Sequence, residues 1–297
     1  MPGLHGVLVI DKARGPTSHD IVGRLRRALA TREVGHAGTL DPMATGVLVA
    51  LVGEGTKLAP YLTAADKEYE TTIALGVETD TLDAAGKSIR QVPVPDGALD
   101  EACLSIALEV ERMRDSQTPP AYSAIHVDGE RAYARARRGE GIVLEPRPVL
   151  VRSLEILGSG FHPAPWVTLR ARVSKGYFVR SLGRDFAAAL GTVGHLTALR
   201  RTRSGSFALD EAIGVEASNE ALRAHLLPLG VAASRGLPVA HLTEAGARDA
   251  RFGRAVQPKD MAAQGTGLCA WLDANAALVA VGEVGLDGAG RVVRGFI

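Results

Sequence analysis

One carboxylate stands out in the chain. Asp41 sits in Gly35-His36-Ala37-Gly38-Thr39-Leu40-Asp41-Pro42, a run of small and turn-forming residues. Glycine lets a backbone approach a ligand or take positive φ, and Asp-Pro favours a turn. An acid so placed can act as a nucleophile or as a base on a bulky substrate held against the loop. His36 precedes it in the same run and can reach the same ligand, although a lone histidine is also a common surface or core residue. Further on, Glu54-Gly55-Thr56-Lys57 follows the apolar run Val47 to Val52.

Other chemistries lack their residues. No His, Cys or Asp pair falls at a spacing such as H-E-x-x-H or C-x-x-C, so no metal site is expected. Gly53-Glu54-Gly55-Thr56-Lys57 has the composition of a phosphate loop but not its G-x-x-x-x-G-K-[ST] spacing, and no G-x-G-x-x-G follows a strand. Ser18 and His19 are adjacent, which makes no triad. No cofactor is expected.

Charge is uneven. From Asp66 to Asp115 there are 12 acidic and 5 basic residues, and from Arg170 to Arg203 there are 8 basic and 1 acidic. The second stretch can form a phosphate-binding face on a chain of net charge +1. A second basic segment, Glu130 to Arg138, lies between Pro119-Pro120 and Pro146. If helical, it puts Arg131, Arg135 and Arg138 on one face.

These groups need elements to carry them. Gly6 to Ile10 reads as a buried strand, and Thr17 or Ser18 as the cap of a helix with apolar Ile21, Val22, Leu25 and Leu29. The other face of that helix is expected to carry Arg24, Arg26, Arg27 and Arg32. Strands are expected over Val47 to Val52, Tyr69 to Leu75 and Val167 to Val173. Helices are expected over Leu99 to Met113 and Val179 to Leu190. Gly230 to Leu237 reads as a linker. Beyond it, a helix from Thr243 to Phe252 precedes short strands separated by Gly and Asp-Gly turns, the pattern of a small β-barrel.

The chain has 297 residues, 46% of them apolar, enough for one large domain or two. Its two cysteines, Cys103 and Cys269, exclude a disulfide framework and suit a reducing cytoplasm. No signal peptide or membrane span is expected.

Several pieces recur together and in order. They are Lys12-Ala13-Arg14-Gly15-Pro16-Thr17-Ser18, the Asp41 loop, Asp66-Lys67-Glu68-Tyr69, Gly76 to Gly86, Gln117 to Ala124, Ser174 to Leu182 and Leu199-Arg200-Arg201-Thr202. The series closely resembles the bacterial tRNA pseudouridine-55 synthases over roughly residues 5 to 210. The resemblance implies that Asp41 is catalytic, that Tyr69 stacks on the target uracil and that Arg180 pairs with the aspartate. It assigns His36 to the flipped-out part of the T loop, Lys12 to the active-site floor and Leu199 to the pocket wall. Residues 117–147 become an inserted RNA-binding arm, and the tail a small RNA-binding domain.

Two departures accompany it. The family usually reads Ser-Lys-Gly-Thr-Tyr-Ile-Arg where this chain has Tyr177 and Phe178, so a hydroxyl expected near the acid is missing or comes from elsewhere. His126 stands where the family commonly has lysine.

The expected architecture is α+β. A pseudouridine-synthase-like catalytic domain, 1–235, has a mixed, mainly antiparallel sheet with flanking helices, and a PUA-like β-barrel follows at 236–297. The expected function is isomerisation of uridine 55 in the T arm of tRNA by a cytoplasmic monomer with no protein partner. The isomerisation needs no redox step and no external group, in keeping with the absence of cofactor motifs. An RNA-binding or folding factor with dispensable catalysis is a second reading, for which the basic face and C-terminal domain would suffice. A guide-RNA-dependent relative is a third, against which the short tail and the bacterial-type arm speak.

Overall fold

The computed structural model describes residues 3–123, 125–127, 129–141 and 144–296, with the side chains of 127, 131, 134 and 137 outside the described set. Contacts divide the chain into two compact units. The first comprises residues 1–42, 46–65 and 203–297, and the second residues 43–45 and 66–202.

In the first unit, strand β1 (Gly6–Lys12) pairs antiparallel with β3 (Thr45–Val52), from Gly6 opposite Val52 to Lys12 opposite Gly46. Both are nearly continuous apolar runs, as strands buried on both faces must be. Strand β2 (Val34–His36) adds to β3, and Ile213–Gly214 runs parallel to β1. Helix α1 (Ser18–Leu29) starts at a capping box. The Thr17 side chain accepts from Asp20 N, and the Asp20 carboxylate accepts from Thr17 N. Its buried face is Ile21, Val22, Leu25 and Leu29.

The expected linker is instead mostly helix, Leu229–Ser234, with Gly230, Ala232 and Ala233 buried. A Cβ on Gly230 would stand 2.1 Å from the Ala276 carbonyl oxygen, so this glycine serves close approach rather than flexibility. The small residues let the helix join one apolar core that includes Val7 and Val9 of β1, Val49 and Leu51 of β3, and Ala270, Leu278 and Val281 near the C-terminus. Those last three belong to a five-stranded sheet ordered Met261–Ala263, Val239–Leu242, Gly267–Leu272, Leu278–Val284, Gly290–Gly295. Val239–Leu242 and Gly267–Leu272 are parallel, and the other pairs are antiparallel.

In the second unit the strand order is Val151–Gly160, Trp166–Val173, β4 (Lys67–Leu75) and Gly194–Ser204. Burial alternates strictly along β4, so Lys67, Tyr69, Thr71, Ile73 and Leu75 share the inward face. Helix Glu101–Arg112 packs on strand Val151–Gly160 and on helix Val179–Ala189. Mixed, mainly antiparallel sheets with helices are thus the α+β class expected.

The arm begins and ends at a two-strand neck, with Gln117 opposite Arg147 and Ser116 opposite Pro148. Within it, His126–Val127 pairs with Glu130–Arg131 before a short helix, Ala132–Arg137. The single helical face expected for Arg131, Arg135 and Arg138 is therefore not formed. The turn at Gly129 commits the Arg131 backbone to a hairpin, and Arg138 lies past the helix end. The Arg131 side chain lies outside the described residues.

Candidate active site

Asp41 is half-buried, and its loop is held by hydrogen bonds on both sides. On one side, Ser18 Oγ donates to the Leu40 carbonyl at 3.1 Å and accepts from Leu40 N at 2.8 Å. On the other, the Pro42 carbonyl accepts from Gly15 N at 2.8 Å and from Lys12 Nζ at 3.4 Å. Lys12 is fully buried and also donates to the Ala13 carbonyl at 3.0 Å. Gly38, at φ 113°, supplies the left-handed turn that starts the loop. His36, half-buried, is the last residue of β2. A carboxylate whose neighbours on both sides are fixed points in one direction without reorganisation, which is what a nucleophile or base requires.

Tyr69 lies on the buried face of β4, opposite Ala171 of the neighbouring strand. Two residues earlier on that face, Lys67 is only 7% exposed. Burial, with the Arg201 guanidinium nearby, pushes its ammonium down to about 8. Leu199 is buried on strand Gly194–Ser204, and its carbonyl accepts from Thr45 Oγ1 at 3.4 Å. Thr71 Oγ1 donates to the Ala198 carbonyl at 2.8 Å, fixing β4 to that strand one residue before Leu199.

Arg180 stands in the first turn of helix Val179–Ala189 and is 7% exposed. It donates to the Thr81 carbonyl at 3.0 Å and to the Tyr122 carbonyl at 2.9 Å. Other bonds tie the same turn to the arm. Gln117 Oε1 accepts from Phe178 N at 2.9 Å, and the Thr118 carbonyl accepts from Ser181 Oγ at 2.9 Å and Arg184 at 3.1 Å. Phe178 is half-buried. The Tyr177 hydroxyl is buried near Glu111, Arg114 and Asp185; burial first, then the Glu111 charge, raises it well above the tyrosine range. Glu111 itself is fully buried, with both oxygens on Arg114 at 2.5 and 2.8 Å. Burial raises its carboxyl while Arg114 opposes the rise.

Residues 26–179 match the TruB family pseudouridylate synthase N-terminal domain, and residues 180–233 match the tRNA pseudouridylate synthase B C-terminal domain. The tRNA pseudouridine synthase B of Cutibacterium acnes is 45% identical over 250 residues, 84% of each chain. That of Thermobifida fusca is 43% identical over 258 residues, 85% of this chain and 87% of the relative.

The chain belongs to the TruB family.

It is a pseudouridine synthase, an isomerase. Its fold is shared with a chain of a Cbf5-Nop10-Gar1 complex at TM-score 0.75 and 24% identity, over 99% of this chain and 84% of that one. A chain of an H/ACA RNP bound to a substrate RNA containing 2'-deoxyuridine gives TM-score 0.73 at 22% identity, over 98% of this chain and 85% of that one.

In this TruB-family chain two arginines of the arm, Arg135 and Arg138, are engaged with acids. Arg135 bonds Glu140 at 2.8 Å, and Arg138 bonds Glu130 at 2.5 Å and Glu140 at 2.7 Å. Arg138 holds both carboxyls below their usual range. His126 is exposed.

Sequence reasoning missed three supporting residues of this TruB-family site. Ser18 was visible as an alternative cap and as the end of the Lys12–Ser18 motif, but nothing there marked it as the residue that holds Leu40. Lys67 stood in the quoted Asp66–Tyr69 run, and the period of two from Tyr69 was its signal. Gln117 marked the start of the arm, but its bond to a main-chain amide distant in sequence leaves no local signature.

Proposed function

We propose that this synthase converts uridine 55 in the T arm of tRNA to pseudouridine, with Asp41 as its catalytic carboxylate. The observation that carries this is the Asp41 loop, held from both sides by Ser18, Gly15 and Lys12. The tRNA pseudouridine synthase B relatives support the substrate.

The reaction breaks the bond from ribose C1' to N1 of uracil, turns the base and forms a bond from C1' to C5. The C5 proton leaves and N1 gains one, so product and substrate have the same composition. Asp41 acts as nucleophile or base. Arg180 is the arginine assigned to pair with that acid. A uridine inside a folded RNA must be flipped out, and Tyr69 offers its ring to the flipped base. Leu199 and Phe178 line the uracil site, Lys12 supports its floor and His36 packs on the displaced loop nucleotides. The arm residues Arg131, Arg135 and Arg138 meet RNA phosphates. No metal or cofactor takes part.

The functional division we adopt is 1–235 for catalysis, with the arm at 117–147, and 236–297 as a PUA-like barrel that binds RNA. The five-stranded C-terminal sheet supports the second part. The protein works as a monomer in the cytoplasm, and no helix among the described residues is long and apolar enough to cross a membrane. The test is to incubate the protein with unmodified tRNA and map pseudouridine by chemical labelling. One modified position, 55, is expected. Modification elsewhere, or none, rejects the reading.

A further inference from the structure

We propose that the exposed face of α1, with the Gly15–Pro16 turn before it, is a groove that binds backbone phosphates of the RNA substrate beside the Asp41 loop. The proposal rests on the RNA-substrate reading above and assigns a surface that reading leaves unused. A groove of about 540 Å³ is lined there by Gly15, Pro16, His19, Asp20, Gly23, Arg24 and Arg27. It adjoins the catalytic loop directly, because Gly15 N donates to the Pro42 carbonyl.

Its charges are of two kinds. Arg24 is paired with Glu216, and Arg26 donates to the Val34 carbonyl at 2.9 Å. Asp20, the acid of the groove, is committed to the Thr17 hydroxyl and amide, which hold its carboxyl below the usual range. Arg27 in the groove and Arg14, next to its lining residue Gly15 in sequence, are exposed, and among the described residues neither makes an ion pair or a side-chain hydrogen bond. That is the state a cation needs to neutralise a phosphate and release its counterion. The arm's Arg135 and Arg138 are not in that state, since Glu130 and Glu140 already occupy them.

Gly23 adds an independent argument. It lies inside α1, where glycine is the least favourable residue after proline. A Cβ there would meet only the tip of Arg27, at 3.9 Å. The fold does not need glycine at this position. A groove floor low enough for a sugar–phosphate backbone does.

The test is binding of an unmodified T-arm hairpin RNA to the full chain across a salt series, with turnover measured on the same samples. The double variant Arg14→Gln/Arg27→Gln should bind roughly tenfold more weakly at low salt, its log–log salt slope shallower by about 0.7–0.9 per lost phosphate contact. Arg14→Lys/Arg27→Lys should keep the parent slope, and Arg90→Gln, an exposed arginine outside the groove, should match the parent. Gly23→Leu should weaken binding with thermal stability unchanged or raised. Parental affinity and slope in the Gln double variant, or parental binding by Gly23→Leu, overturns the groove while a parent that turns the hairpin over leaves the enzymatic reading standing. A parent that binds no hairpin at all overturns both.

Discussion

At Asp41 the scaffold grips the main chain: Ser18, Gly15 and Lys12 bond the amide or carbonyl groups of Leu40 and Pro42. At Arg180 the side chain is itself the grip, donating to the carbonyls of Thr81 and Tyr122. The bonds from Ser18, Gly15 and Lys12 hold the Asp41 loop through Leu40 and Pro42 and not through the carboxylate, whereas a change at Arg180 breaks side-chain bonds to Thr81 and to the arm residue Tyr122. This difference separates a chemical defect from a structural one, and substitutions at the two places should report it.

The largest effect belongs to Asp41→Asn. Turnover of unmodified tRNA should fall to background while RNA affinity stays within a few-fold, because phosphate contacts dominate affinity. Thermal stability should change little, since asparagine keeps the shape of the side chain and the bonds at Leu40 and Pro42 remain. Residual turnover well above background would remove Asp41 from the chemistry. A drop in stability would mean that the loop is held through the carboxylate after all.

Next comes Arg180→Lys, which keeps charge but loses the planar fork. One ammonium cannot serve the Thr81 and Tyr122 carbonyls in the guanidinium's geometry, and a buried acceptor left unsatisfied costs about 1–3 kcal/mol. Turnover should fall on the order of 100-fold, and stability should fall with it. Arg180→Lys with parental melting and only a rate defect would show that the two carbonyl bonds carry no structural weight.

Of these two mounts, the sequence disclosed the first far better. The glycine-rich run around Asp41 announces a shaped loop because turn chemistry is local. Arg180 was legible only by resemblance, since its acceptors are main-chain carbonyls of residues distant in sequence. The same limit explains the misread segment at Gly230. A glycine near alanines is compatible with a linker or with a tightly packed helix, and only the Ala276 carbonyl 2.1 Å from the absent Cβ decides. Long apolar strands such as β1 and β3, and the alternation along β4, were plain because burial is written at every position or at every second one. The arm misled for the opposite reason. Its arginine spacing is helical, but the hairpin turn at Gly129 takes Arg131 out of the helix.

Ser18→Ala tests the first mount more gently. It removes the donor and the acceptor that hold Leu40, leaving a buried amide and carbonyl without those partners. We expect about tenfold lower turnover at saturating RNA, with KM nearly unchanged, because the acid is still present but less well directed. Ser18→Thr, which restores a hydroxyl, should recover part of the rate. An equal fall in turnover and in RNA affinity would mean that Ser18 shapes the binding surface rather than the direction of Asp41.

The smallest effect is expected in the arm, where the second mount ends. Arg138 is exposed and Arg135 half-buried, and they are already bonded to Glu130 and Glu140. An RNA phosphate that takes either arginine must displace a carboxylate, so the gain is an exchange of partners, with less counterion released than a free cation would give. Arg135→Gln together with Arg138→Gln should weaken T-arm hairpin binding by no more than a few-fold, and the salt slope should change by less than about 0.7 per arginine. Glu130→Gln with Glu140→Gln sharpens the point. It frees both arginines, so binding at low salt should tighten and the slope should steepen. If instead the arginine variant loses a full phosphate's worth of slope at each position, and the glutamate variant binds like the parent, then the ion pairs do not persist in solution. The arm would then grip RNA as strongly as its arginine content first suggests.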